Sequence, residues 1–180
     1  MAIRSFLEFI PQIAEGVYVD EQASVIGRVS IGRDASIWPM TVVRGDVHEI
    51  SIGERTNVQD GSILHVTADN EYNPGGHALR IGNDVTIGHG AILHACTVED
   101  LCLIGMGATV LDGAIIRQHC ILAAGSVVPP GKELEGGYLW MGSPAKRARE
   151  LKPKELEYLR FSSGHYLRLK NQYLASGANK

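Results

Sequence analysis

Residues 98–128 read VEDLCLIGMGATVLDGAIIRQHCILAAGSVV, and an aliphatic side chain recurs there at every sixth place: Val98, Ile104, Val110, Ile116, Leu122 and Val128. The same period runs upstream through Val25, Ile31, Ile37 and Val43, then Ile52, Val58 and Leu64, then Ile81, Ile87 and Leu93. A small or apolar residue stands two places before most of these, as Ala23, Val29, Ala35, Ala91, Ala108 and Ala114 do. Glycine often follows the aliphatic, at Gly32, Gly53, Gly82, Gly88 and Gly105. Six is not a helical period and is too long for strand alternation. It is the spacing of a hexapeptide β-helix, in which three repeats close a triangular coil of about 18 residues. The aliphatic points into the prism, and Gly, Asn or Asp is expected to take the sharp corners. Each coil buries its face only on the next. The expected fold is therefore all-β: a left-handed parallel β-helix over about residues 12–131.

Two interruptions break the period. Three extra residues lie between Val43 and Ile52, and residues 66–78 (VTADNEYNPGGHA) read as a loop that leaves the prism. After Pro129-Pro130-Gly131 the repeat stops. Ser143-Pro144 then reads as a helix N-cap with proline at the first helical position. Leu156, Leu159, Tyr166, Leu167, Leu169 and Tyr173 are spaced roughly as one helical face. A helical segment over about 143–176 is expected to fold back along the prism and cover it, making residues 1–180 one domain.

Composition narrows the function classes. Hydrophobic residues are 44%, charged residues 21% and the net charge is -3, so there is no basic footprint for nucleic acid or an anionic membrane. Lys146-Arg147-Ala148-Arg149 runs into Glu150 and reads as a solvated helix face. No apolar run approaches the ~20 residues of a membrane span, and no secretory signal is evident. Cys96, Cys102 and Cys120 sit among aliphatics and form no CxxC pair, which reads as buried free thiols in a reducing, cytoplasmic setting. The alternative is Cys96 as a soft metal ligand, two residues from His94.

Counting along the coil picks out histidines. His65 follows the inward Leu64 by one residue and His94 follows the inward Leu93 by one. They are 29 apart, but Leu64 and Ile81 are 17 apart instead of six, so the loop adds 11 residues and the corrected separation is 18, one coil. Both should project from one face, about 4.8 Å apart in backbone spacing. His89 lies five residues before His94, nearly one side of the triangle away. It can join the other two only from a neighbouring prism, which suggests a three-fold assembly with metal sites between subunits. Three imidazoles suit Zn²⁺, with Fe²⁺ or Co²⁺ as alternatives, and leave a fourth position for water.

The chain resembles the γ-class carbonic anhydrase family. The motifs that carry the likeness are Arg44-Gly45-Asp46, Asn57-Val58-Gln59-Asp60, Ser62-Ile63-Leu64-His65, Ile87-Gly88-His89 with Leu93-His94, Ile104-Gly105-Met106-Gly107 and Gly142-Ser143-Pro144-Ala145. They span roughly residues 10–170. The resemblance implies a homotrimer that interconverts CO₂ and bicarbonate, with His65 and His94 from one chain and His89 from its neighbour holding the metal. It implies that Gln59 orients the metal-bound hydroxide and that Arg44, Asp46 and Asp60 form charged contacts across the interface, with Arg44 also receiving bicarbonate. Asn57 would serve the turn or hydrogen-bond near the site, and Tyr166 matches a tyrosine that approaches the metal in relatives.

One departure stands out. Val47 occupies a place where the family's archetype has glutamate, and no residue of the loop (Asp69, Glu71 or His77) matches its proton-shuttling glutamate. Slow proton removal is the expected consequence. Two other classes remain open: a hexapeptide acyltransferase or thioesterase acting on an acyl-CoA, and a trimeric module that keeps the metal without catalysis.

Overall fold

The computed structural model describes residues 2–177 and is a parallel β-helix of about eight turns with one C-terminal helix. The inward aliphatics stack in the expected register. Ile87 pairs with Val58 and Ile104, Leu93 with Leu64 and Val110, and Val98 with Ile81 and Ile116, all in parallel. These side chains form one apolar core from Val19 to Ala145, and the small Ala35, Ala91, Ala108 and Ala114 are fully buried in it. Stacking continues past residue 131, because Glu133–Leu134 pairs with Ile115–Ile116 and Tyr138–Met141 pairs with Ile121–Leu122.

The glycines divide into two classes that the repeat alone does not separate. Gly53, directly after an inward aliphatic, has no left-handed φ; a Cβ there would collide with the backbone of Gly82 on the next coil. Its hydrogen atom is what lets coils approach. Gly61, Gly90, Gly107 and Gly125 take φ of +69°, +67°, +64° and +67°, with open space where a Cβ would go. They supply the left-handed corner, which Met40 occupies at a φ of 61° one coil earlier. A third irregularity also emerges. Five residues, not six, separate Leu93 from Val98, and the corner between them is Ala95 at a φ of 48°.

The tail differs from expectation. Ser143 is not a helix cap: Ser143-Pro144 is a cis bond in the turn of an antiparallel hairpin between Tyr138–Met141 and Lys146–Glu150. Lys146–Glu150 is thus an exposed edge strand, solvated but not helical. It covers the open edge of the last coil and ends the parallel stacking. The helix is Pro153–Ser176, with Lys152 at the N-cap and Pro153 in the first turn. The Glu155 carboxylate accepts the Lys152 amide at 2.8 Å and pairs with Arg149 at 2.7 Å.

That helix runs back along the face made by Tyr18–Val19, Ser36–Ile37, Asn57–Val58 and Thr86–Ile87. Ser162 bonds Thr86 at 2.9 Å midway. Near its end the buried Lys170 reaches Asp34 and the Gly16 carbonyl on the first coils. Trp38, Tyr18, Tyr166 and Tyr173 interlock between helix and prism. Among the described residues no helix is long and apolar enough to cross a membrane.

Candidate metal centre

His65 and His94 end the strands Ile63–His65 and Ile92–His94, which pair so that the two histidines are direct neighbours. His65 Nδ1 lies 3.1 Å from His94 Nε2. Their outer nitrogens meet carboxylates: His65 Nε2 lies 3.0 Å from Asp46 Oδ1, and His94 Nδ1 lies 2.5 Å from Asp112 Oδ1. Arg44 also pairs with Asp46, two residues along the strand Val42–Ile52. Burial tends to raise the Asp46 carboxyl, but the hydrogen bonds from Arg44 and His65 outweigh it and hold it below its ordinary value. Asp112 behaves alike: burial opposes ionisation, and the hydrogen bonds from Thr67 and His94 win. His65 is held below the ordinary histidine value, first by burial and then by Arg44 and His94, despite the pull of Asp46.

Proton counting gives the pair its chemistry. With each ring's N–H assigned to its carboxylate, both inner nitrogens are lone pairs, and two lone pairs facing at 3.1 Å call for a cation between or beside them. Two nitrogens bound to tetrahedral Zn²⁺ at ~2.05 Å stand about 3.3 Å apart, close to the observed spacing. Carboxylates behind ligand histidines are the usual means of fixing ring and tautomer. The residues present thus fit two ligands of a divalent metal. They do not make a whole cage in one chain, for no group of three His, Cys, Asp or Glu suited to a metal occurs among the described residues. Cys96, the soft-ligand alternative, lies in the apolar core, and burial raises its thiol far above the usual range.

His89 stands elsewhere, at the corner after Thr86–Ile87, with Nδ1 2.8 Å from Asp60. The ring is half exposed. It lines a cleft of 370 Å³ with Gln59, Met106, Ser162 and Tyr166. Gln59 is buried and donates its amide to Asn57 Oδ1 at 3.1 Å, while Asn57 donates to Thr86 Oγ1 at 3.1 Å. A polar ladder therefore ties Gln59 through Asn57 and Thr86 to Ser162 on the helix. Tyr166 sits one turn further along, where burial and then the charge of Asp60 raise its hydroxyl and keep it neutral.

The named residues thus assemble as two groups. One holds Arg44, Asp46, His65 and His94; the other holds Asn57, Gln59, Asp60, His89 and Tyr166. Within the chain Asp46 and Asp60 each contact a histidine. Among the described residues, ion pairs between histidine and carboxylate occur at His65, His89 and His94, and not at His48, His77, His119 or His165. Asp112, bonded to His94, and Thr67, bonded to Asp112, are neighbours of the pair that the sequence motifs do not single out. A signal for Asp112 exists, an acid 18 residues after His94; Thr67 gives none. Of the loop residues weighed as shuttles, Asp69 accepts the Gly75 amide and Glu71 is exposed.

No family model matches the chain. It is 48% identical over 175 residues to Protein YrdA of Escherichia coli, covering 97% of this chain and 95% of that protein. It is 44% identical over 161 residues to gamma carbonic anhydrase 2, mitochondrial, of Arabidopsis thaliana, covering 88% of this chain and 57% of the plant protein. A solved hexapeptide transferase family protein from Anaplasma phagocytophilum superposes with a TM-score of 0.87 at 39% identity, covering 96% of this chain and 98% of that one. With the repeat, the paired histidines and these relatives in agreement, the chain belongs to the hexapeptide-repeat, γ-carbonic-anhydrase-like family.

Proposed function

We propose that the protein is a metal-dependent, γ-carbonic-anhydrase-like lyase that hydrates CO₂ reversibly as a homotrimer, with His65 and His94 of one copy and His89 of the next as ligands. The observation that carries this reading is the carboxylate behind each of those three histidines, with two rings converging at 3.1 Å and the third displaced to another face. Two incomplete groups on one chain become complete when copies meet around a three-fold axis.

Zn²⁺ there, or Fe²⁺ or Co²⁺ in its place, would lower the pKa of a coordinated water towards ~7, the value general to zinc-bound water in carbonic anhydrases. Gln59, fixed through its N–H on Asn57, keeps Oε1 free to accept a hydrogen bond and so orient a water. Arg44, partly exposed beside Asp46, is the cation that receives bicarbonate. No acid stands at Val47, so the proton leaves to solvent or buffer and turnover is limited by that step.

Stopped-flow CO₂ hydration, with metal measured on the same anaerobically purified sample, tests the reading. Activity that tracks bound metal and vanishes in His65→Ala supports it. One metal per chain with no hydration at any pH sinks the enzyme and leaves a metal-bearing module. A second reading draws on the apolar floor of the cleft beside His89, with Leu103, Met106 and Ile121. An acyl thioester would fit such a surface, and acetyl-CoA turnover that persists without metal would favour it.

A further inference from the structure

The 66–78 segment follows His65, keeps Val66 buried in the core, leaves the prism at Thr67 and returns at Leu79–Ile81. It is closed at its neck by two backbone hydrogen bonds between Thr67 and His77, at 3.1 and 3.0 Å. Asp69 Oδ1 accepts the Gly75 amide at 2.8 Å inside it. His48, on the strand that carries Asp46, clamps the far side: its Nδ1 accepts the Glu49 amide, so Nε2 carries the hydrogen that faces the Gly75 carbonyl at 3.3 Å. Gly76, at a φ of +65°, has no room for a Cβ, which would lie 2.6 Å from the Thr67 carbonyl oxygen and 2.9 Å from the His48 ring.

Thr67 also faces the prism. Its hydroxyl donates to Asp112 Oδ2 at 2.6 Å, and the other oxygen of that carboxylate meets His94 Nδ1 at 2.5 Å. Tying Oδ2 fixes the carboxylate plane, so Oδ1 is presented to the ring and the His94 proton is held on Nδ1. The Nε2 lone pair is then left towards His65. The neck of the loop and the aim of one histidine thus depend on the same threonine.

We propose that Thr67 and Asp112 are positioning residues for His94, and that through them the 66–78 loop sets the affinity of the His65–His94 pair for a divalent cation. By linkage, a cation at the pair must in return hold the loop closed. The affinity half rests on the metal reading above. The coupling of loop to ring is a property of the chain alone.

Thr67→Val removes the hydroxyl at nearly constant shape, whereas Thr67→Ser keeps it. In metal-free full-length protein, ¹⁵N NMR of the His94 ring should report the Nδ1–H tautomer in the parent and in Thr67→Ser, and a mixture in Thr67→Val. Amide exchange at Thr67, Gly75 and His77 should quicken in Thr67→Val alone. Zinc titrated against a chromophoric chelator should bind about 10–100-fold more weakly in Thr67→Val and Asp112→Asn, with Thr67→Ser restored. Zinc should also slow loop exchange in the parent. A Thr67→Val protein with quickened loop exchange but an unchanged ring tautomer and zinc affinity overturns the coupling. If the parent binds no zinc, the proposed function fails, while the tautomer and exchange measurements still decide whether loop and ring are coupled.

Discussion

Replacing Lys170 by methionine is expected to destabilise the protein by about 2–3 kcal/mol. The side chain is 1% exposed, and its Nζ donates to Asp34 Oδ1 and to the Gly16 carbonyl, both at 2.6 Å. Removing one partner of a fully buried ion pair costs about 3–5 kcal/mol, because the other charge is stranded. Asp34 is 34% exposed, so water replaces part of what it loses and the cost is discounted accordingly. Methionine keeps the apolar stem, which makes the cavity contribution small. At about 2–4 °C per kcal/mol for a chain of this size, the melting temperature should fall by roughly 5–10 °C. Scanning calorimetry at matched protein concentration measures that shift. Trp38 reports the location, since it is buried against Tyr18, Tyr166 and Tyr173, and its emission should move to the red as the last helical turns loosen. A variant that melts at or above the parent, with Trp38 emission unchanged, would refute the reasoning and leave the aromatic cluster as what holds the helix.

Zinc retention and stability should both fall on acidification. His65, Asp46 and Asp112 all have depressed values in the fold, so the unfolded chain takes up protons first and stability is lost as pH falls, from below about 6.5 for the histidine and below about 4 for the acids. Equilibrium dialysis that showed zinc leaving already above pH 7 would contradict this order. If the pair and His89 come from different copies, mixing refolded His89→Ala and His94→Ala chains should restore about a quarter of the sites, whereas sites built within one chain would restore none. Hydration rates should rise with buffer concentration, since no acid at Val47 takes the proton; a rate independent of buffer would point to an internal shuttle. Native Cys102, raised to about 12 by burial, should resist iodoacetamide at pH 8 until the protein is unfolded, as followed by mass spectrometry.

Two of the places where local reading and structure part company have the same origin. Ser143-Pro144 reads as a helix start, whereas the helix begins after Lys152-Pro153, and each is a polar residue before a proline. What separates them is that Tyr138–Met141 leaves an open sheet edge, which the segment after Pro144 satisfies by pairing before any helix begins. The glycines after Ile31, Ile52 and Ile81 likewise read as corner residues, and only the stacked neighbours show that their lack of a Cβ serves close approach. The short spacing between Leu93 and Val98 is legible in the chain itself, and Asp112 lies in reach of the same coil arithmetic that pairs His65 with His94.

The repeat determined the coil, its register and the histidine pair, because a periodic chain that buries an aliphatic at every sixth place, with a small residue two places before it, has one economical way to stack. That information is local, repeated and readable from spacing alone. The partners of those histidines were another matter. Thr67 and Asp112 are 45 residues apart and touch at 2.6 Å because a non-periodic loop closes on itself and presents one hydroxyl to a coil two further along the prism. Lys170 reaches Asp34 across 136 residues for a similar reason, since the helix docks by shape and charge and not by any period. Contacts of that kind depend on how unlike pieces meet in space, and only the folded chain decides them.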